Sequence, residues 1–312
     1  MIKKIAVIGT GVIGTGWIVR CLAHNKNVIA YDKDLKLEKK LISEIKRAWP
    51  FIKKLFNKKK LNLKNFKYVT SIEEAVKDAD FIQECATENY AIKTKLMNII
   101  GKNAKTNAII SSSSSGLLPT RIYSKCKNPA RTMIGHPFNP VYLCPGVEIV
   151  AGKKSKKKFL NKANKFYKSI SMNPIMVKKE LPGYLADRLQ EALWREGLHI
   201  INEGYATTKD LDRAIEDGPG MRWSLMGTFL TFHLAGGNAG MKHMLEQFGP
   251  ALKLPWTKLK APKLSKKLSN RVISGTRKQA KGKSVAKISK IRDEYLLHLQ
   301  KMRKKYENKI RK

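Results

Sequence analysis

Through roughly its first 180 residues the chain alternates short apolar runs with longer stretches whose apolar positions recur at helical spacing. The run Ile5–Ile8 passes into Gly9-Thr10-Gly11-Val12-Ile13-Gly14, and a second run, Asn27–Tyr31, ends in Asp32. Short apolar runs bounded by turn residues fit buried strands. Between Lys36 and Leu55, the residues Leu37, Leu41, Ile45, Trp49 and Ile52 fall on one helical stripe. Phe66–Thr70 has strand character, and Ser71, with Glu74 three residues on, predicts a capped helix start. Asp80–Glu84 predicts a strand, Thr87–Ile100 a helix, and Asn107–Ser111 a strand that runs into the serines 111–115. Repeated strand–helix units predict an α/β fold, a Rossmann-type, mainly parallel sheet that binds ligands at the C-terminal ends of its strands.

The pattern changes at Leu181-Pro182-Gly183. Beyond it Leu185, Leu189, Leu193 and Ile200 share a helical face up to Asn202, and Thr208–Glu216 and Trp223–His233 predict further helices. Two domains are expected, residues 1–181 and an all-helical domain over residues 182–312. No internal repeat is evident. From Lys263 a basic tail alternates charge with apolar residues such as Leu296, Leu297 and Leu299, and reads as exposed helix with a narrow apolar stripe.

A chain of 312 residues can bury a sizeable core. Its net charge of +39 raises the question of nucleic acid, but the excess comes from 50 lysines against 13 arginines, spread along the chain. Groove and bidentate phosphate readers favour arginine, and no basic run carries interleaved aromatics. Specific nucleic-acid binding is therefore not expected. Cys21, Cys85, Cys126 and Cys144 lie far apart, with no CxxC pair and no metal-ligand spacing, which fits reduced thiols in the cytoplasm. No run is long and apolar enough to cross a membrane. Lys3-Lys4 before an apolar stretch could open a signal peptide, but three glycines interrupt the apolar core such a peptide needs.

The glycine segment, between a strand and a helix, has the form of a dinucleotide fingerprint. Gly9 allows the sharp turn, Gly11 lets the backbone approach a pyrophosphate, and Gly14 allows close packing of the helix. The pyrophosphate would meet free N–H groups at the helix N-terminus. Asp32 would accept from an adenosine ribose and repel a 2′-phosphate, which favours NAD over NADP; Lys33 beside it softens that preference.

Candidate chemistry centres on Met133–Pro140, which contains His136, and on Gly146–Val150, which contains Glu148. Oxidation of an alcohol needs a group to take the hydroxyl proton, and histidine suits that role near neutral pH. Glu148 lies in an apolar, strand-like run where a carboxylate needs a partner. The two prolines after His136 can fold the chain back so that the imidazole and the carboxylate meet. A histidine satisfied structurally at a strand end, with Glu148 exposed on an edge, is the alternative.

The glycine fingerprint, Glu88-Asn89 with Lys93, the serine run, His136-Pro137-Phe138-Asn139-Pro140 and Pro182-Gly183-Tyr184 together resemble the 3-hydroxyacyl-CoA dehydrogenase superfamily. The resemblance implies His136 as base, Glu148 as its orienting partner, Ser115 as a donor near the substrate oxygen, and Glu88 and Lys93 beside the nicotinamide ribose. It also implies a homodimer through the helical domain. One departure is Asp187, where the family usually carries asparagine, which puts an acyl thioester substrate in doubt. Ala186–Glu196, Gly218–Trp223, Gly227–Gly237, Phe248–Leu252 and Pro255–Thr257 resemble the bacterial L-carnitine 3-dehydrogenase branch; lambda-crystallin and gulonate dehydrogenases form the neighbouring branch.

That branch implies a small-molecule substrate with a quaternary ammonium and a carboxylate. Tyr142, Trp223, Phe229 and Phe232 are candidate aromatic faces for the ammonium, Asp187 a candidate counter-charge, and Arg222 a candidate grip for the carboxylate. Each aromatic has a competing role as packing, and Arg222 as a structural ion pair.

Overall fold

The computed structural model describes residues 2–58, 60–224, 227–250, 254–258, 263, 265–281 and 283–310. The chain divides into two compact units, Met1–Arg188 and Leu189–Lys312.

The first unit holds strands β1 (Lys4–Ile8), β2 (Asn27–Tyr31), β3 (Phe66–Val69), β4 (Phe81–Glu84), β5 (Ile109–Ser112), β6 (Thr132–Pro137), β7 (Gly146–Ala151) and β8 (Asn173–Val177). They form one sheet in the order β3-β2-β1-β4-β5-β6-β7-β8. All neighbours are parallel except β6 and β7, which form an antiparallel pair. The order reverses between β1 and β4, so a crevice opens outside their C-terminal ends, where doubly wound sheets bind ligands.

The helices of this unit are α1 (Val12–Ala23), α2 (Leu37–Leu55), α3 (Ile72–Val76), α4 (Tyr90–Asn103), α5 (Pro119–Ile122) and α6 (Lys157–Ser169). The α2 stripe buries Leu41, Ile45, Trp49 and Ile52, as its period requires. Ser71 caps α3 by accepting from the Glu74 amide. α4 begins at Tyr90, three residues later than the pattern suggested. The Asn89 side chain accepts from the Ile92 amide, and that cap fixes the start. The core under the crevice joins Ile8, Ile82, Ile110, Ile134 and Val150 from five neighbouring strands.

α7 (Ala186–Glu203) begins in the first unit and continues in the second. The second unit also holds α8 (Thr208–Glu216), α9 (Pro219–Trp223), α10 (Thr228–Ala235), α11 (Gly240–Phe248), α12 (Lys266–Ala280) and α13 (Val285–Ile310). Thr207 and Asp210 close a reciprocal capping box on α8. The helix expected across 223–233 is two helices, α9 and α10, with residues 225 and 226 outside the described ones. Ala251 and Leu252, part of the resemblance above, also lie outside them. In the tail Leu297 is buried, so the apolar stripe of α13 is in use there.

Candidate active site

The glycine turn leaves β1 with Gly9 at φ +99°, a conformation open to glycine, and a Cβ there would meet the Cys85 carbonyl oxygen at 2.8 Å. A Cβ on Gly14 would fall 1.9 Å from the Gly9 carbonyl oxygen. Gly14 is thus required by the turn itself more than by the sheet. Around Gly11 nothing lies within 4 Å of a built Cβ, so the backbone is open to a ligand. No side chain caps α1, and its first turn carries no acid. Amide donors at that end are free of competing carboxylates, which suits a pyrophosphate.

Asp32 sits at the end of β2. Its Oδ2 accepts from the Thr10 amide at 3.0 Å and the Thr10 hydroxyl at 2.8 Å, and Oδ1 accepts from the Lys33 amide. The carboxylate is thereby locked to the glycine turn, while lone pairs on Oδ1 remain for a ribose diol. Open turn, uncapped helix and anchored acid together fit a dinucleotide.

Across the switch point, β4 ends in Glu84, which is fully buried. Lys93, 1 % exposed, reaches both of its oxygens, at 2.8 and 3.1 Å, and the Ala86 carbonyl at 2.9 Å. Ser112 donates to Glu84 Oε2 at 2.5 Å and the Ala86 amide to Oε1 at 2.6 Å. Glu88 lies 3.5 Å from Lys93 and accepts from the Ser114 hydroxyl at 2.5 Å and the Ser115 amide at 3.0 Å. Burial works to raise the Glu88 carboxyl, but the Ser114 hydrogen bond, the Lys93 charge and the amides of Ser115 and Gly116 outweigh it and hold it low. Ser115 itself is exposed, with its hydroxyl 3.4 Å from Glu88.

The second cluster rests on the antiparallel pair, where His136 and Glu148 are direct register partners. His136 Nδ1 lies 2.9 Å from Glu148 Oε2. Glu148 is fully buried, and its Oε1 accepts from the amides of Leu185 at 2.9 Å and Ala186 at 3.1 Å. The edge-exposed alternative for Glu148 is thus excluded by its burial. Against a carboxylate oxygen Nδ1 is the donor of this bond, and the neutral ring with that tautomer has its lone pair on Nε2. Asp187 Oδ2 stands 3.7 Å from that nitrogen. The rings of Phe138 and Tyr184 flank the imidazole at 5.4 and 5.7 Å between centroids.

Tyr142 is 7 % exposed, in the β6–β7 connection whose Val141 carbonyl accepts from buried Arg20. Arg222 and Trp223 lie on α9, and Phe229 and Phe232 on α10; all four are in the second unit and all are solvent-exposed. Sequence reasoning passed over Glu84. Its signal was a carboxylate within a strand-like run, as at Glu148, here closing a run that opens with Phe81 and Ile82.

A doubly wound sheet with an open glycine turn, an anchored acid after β2 and a match to an NAD-binding domain define an NAD-dependent dehydrogenase. The 3-hydroxyacyl-CoA dehydrogenase NAD-binding domain matches residues 4–181, and the C-terminal domain of the same enzymes matches residues 183–280. The chain belongs to the 3-hydroxyacyl-CoA dehydrogenase family. It is 51 % identical to an L-carnitine dehydrogenase of Oceanobacillus iheyensis over 95 % of this chain and 97 % of that one. With an L-carnitine dehydrogenase of Pseudomonas aeruginosa the identity is 49 %, over 95 % and 92 %. Among solved structures, an NAD-dependent dismutase, FHMPC 5-dehydrogenase, superposes with a TM-score of 0.82 at 22 % identity, covering 97 % of this chain and 99 % of that one. The (S)-3-hydroxybutyryl-CoA dehydrogenase of Ralstonia eutropha gives 0.67 at 22 %, over 88 % and 95 %. These two likenesses concern the fold. The protein is an NAD-dependent 3-hydroxy dehydrogenase of a small-molecule substrate.

Proposed function

We propose that the protein oxidises the 3-hydroxyl of L-carnitine to 3-dehydrocarnitine, with His136 as general base. The observation that carries the base is the short contact from buried Glu148 to His136 Nδ1, at 2.9 Å, which leaves Nε2 to accept the hydroxyl proton. Bound NAD supplies the hydride acceptor. Glu148 orients the imidazole and stabilises the imidazolium as the proton arrives, and its own charge is steadied by two amides at the start of α7. Ser115, exposed next to Glu88, is the donor that positions the substrate oxygen. In this reading Gly9, Gly11, Gly14 and Asp32 hold the adenosine side of the cofactor, and Glu88 and Lys93 the nicotinamide ribose side. Tyr142, Arg222, Trp223, Phe229 and Phe232 stay as substrate-binding candidates. Arg222 is the candidate for the carboxylate.

The choice of carnitine is supported by the identity of 51 % over nearly the whole chain to an L-carnitine dehydrogenase. It is tested by following NADH formation from purified protein with L-carnitine, gulonate and 3-hydroxybutyryl-CoA. L-Carnitine is expected to give the highest kcat/KM, and preference for the thioester or the sugar acid would overturn the assignment. A homodimer through the helical unit is part of the same reading. It is supported by large apolar side chains left exposed there, among them Leu189, Trp194, Leu234 and Phe248. Sedimentation showing only monomer would end it. We also place the protein in the cytoplasm; among the described residues, no helix is long and apolar enough to cross a membrane.

A further inference from the structure

We propose that Tyr184 is a positioning residue that ties the serine loop, residues 113–117, to the imidazole of His136. It fixes the gap in which the substrate hydroxyl meets Ser115 and His136 together. This rests on the roles proposed above for those two residues and adds the part that sets their spacing. The Tyr184 side chain is fully buried, and its backbone is left-handed at φ +45°, directly after Gly183 at φ +70°. A bulky residue seldom takes that conformation, which glycine enters without steric cost. Such strain persists where the surroundings hold it, and here the side chain is held on two sides.

The turn that carries Tyr184 reaches three places. Its phenol donates to the Leu117 carbonyl at 2.6 Å, and the Gly183 amide donates to the Gly116 carbonyl at 3.3 Å. Burial pushes the phenol up, so it keeps its proton and stays a donor. Both acceptors follow Ser115 in the loop whose Ser115 and Gly116 amides hold Glu88. On the other side the Tyr184 ring stands 5.7 Å from the imidazole between centroids. The next two amides, of Leu185 and Ala186, donate to Glu148 Oε1. The loop after β5 and the β6–β7 pair are therefore joined through one side chain as well as through the sheet. The ring meets His136 and the hydroxyl meets the loop. Removing the hydroxyl alone thus frees the loop and leaves the packing on the imidazole in place.

The experiment is a double-mutant cycle on turnover of L-carnitine with NAD, using wild type, Tyr184→Phe, Ser115→Ala and the double variant. Turnover is expressed per folded site, counted by titration with NAD. Tyr184→Phe is expected to lower kcat about 10-fold, less than the roughly 10²-fold of a 1 Å misplacement, with the KM for NAD unchanged. In the Ser115→Ala background the same change should cost less than about 2-fold, because the two residues act as a unit. If Tyr184→Phe does not fold, Gly116→Val takes its place in the cycle. Its side chain extends from a Cβ position already 3.4 Å from the Gly183 amide nitrogen, and loosens the same link from the loop side. An equal loss in both backgrounds would make the phenol a support of the fold at large and overturn the proposal. No loss in either, or an effect confined to the KM for NAD, would overturn it too. So would a Ser115→Ala variant with normal kcat, which leaves His136 as base to be judged on its own variant. If L-carnitine is not oxidised, the carnitine assignment fails by itself. The cycle is then run on whichever of gulonate and 3-hydroxybutyryl-CoA is turned over, and the role of Tyr184 is read from it in the same way.

Discussion

Two clusters of ionisable groups sit on one sheet, and they are built on different terms. Around Glu84 and Lys93, both buried, the oxygens and ammonium hydrogens are taken up by each other, Ser112 and the Ala86 backbone, with Glu88 as a second carboxylate 3.5 Å from the ammonium. Around His136 two carboxylates likewise approach one side chain, but Nε2 has its carboxylate neighbour at 3.7 Å, too long for a hydrogen bond. The first arrangement holds backbone and side chains still at the end of β4. The second leaves Nε2 without a short hydrogen bond, and a nitrogen of that kind is what a general base must offer. A buried ion pair is thus not in itself a mark of chemistry; the atom left uncommitted is.

The comparison breaks most visibly at His136. His136→Ala is expected to reduce turnover by about 10²–10⁴ with NAD binding intact, measured as kcat against cofactor affinity. Unchanged turnover would remove the imidazole from the mechanism. On the other side, Lys93→Met strands a buried carboxylate and should destabilise the fold by about 3–5 kcal/mol in urea unfolding. Adding Glu84→Gln removes the stranded charge; its one carbonyl oxygen can still accept from the Ala86 amide, and the Ser112 hydroxyl can turn to accept from the new NH2. The double variant should recover more than half of the loss, and no recovery would mean the pair is not coupled.

Glu148→Gln sharpens the contrast, because it keeps the shape and removes the charge that holds the Nδ1 hydrogen. We expect kcat to drop by about 10–100-fold, the range for removing a partner that orients a histidine, with little change in melting temperature. A loss of stability equal to that of Lys93→Met would make the two clusters alike after all. The smallest effect concerns pH. Glu88 is held below its unfolded value, so its contribution to stability is present above the unfolded pKa, about 4.3, and is lost as pH falls through the lower folded one. The urea midpoint of wild type should therefore exceed that of Glu88→Gln at pH 6 and converge on it in acid; a constant gap would refute the electrostatic origin.

The local parts of this molecule could be read directly. The stripe of α2, the serine cap of α3, the glycine turn and the acid ending β2 each depend on residues close in sequence, whose spacing reports the backbone conformation. The meeting of His136 with Glu148 was legible for the same reason, since a hairpin with two prolines brings near neighbours into register. Helix starts were read less well, because at Asn89 the decision lies in one side-chain hydrogen bond.

What the sequence determined by itself, then, was the alternation of strand and helix, the glycine turn between β1 and α1, and the two residues, His136 and Glu148, whose side chains meet. Tertiary structure alone decided that Glu84 clasps Lys93, and that the chain returns at Leu185 and Ala186 to bind Glu148 and carry Asp187 to the far nitrogen of the imidazole. Periodicity reports which face of an element is apolar. It does not report which distant amide satisfies a buried carboxylate, because that depends on strand order and on where a later helix begins.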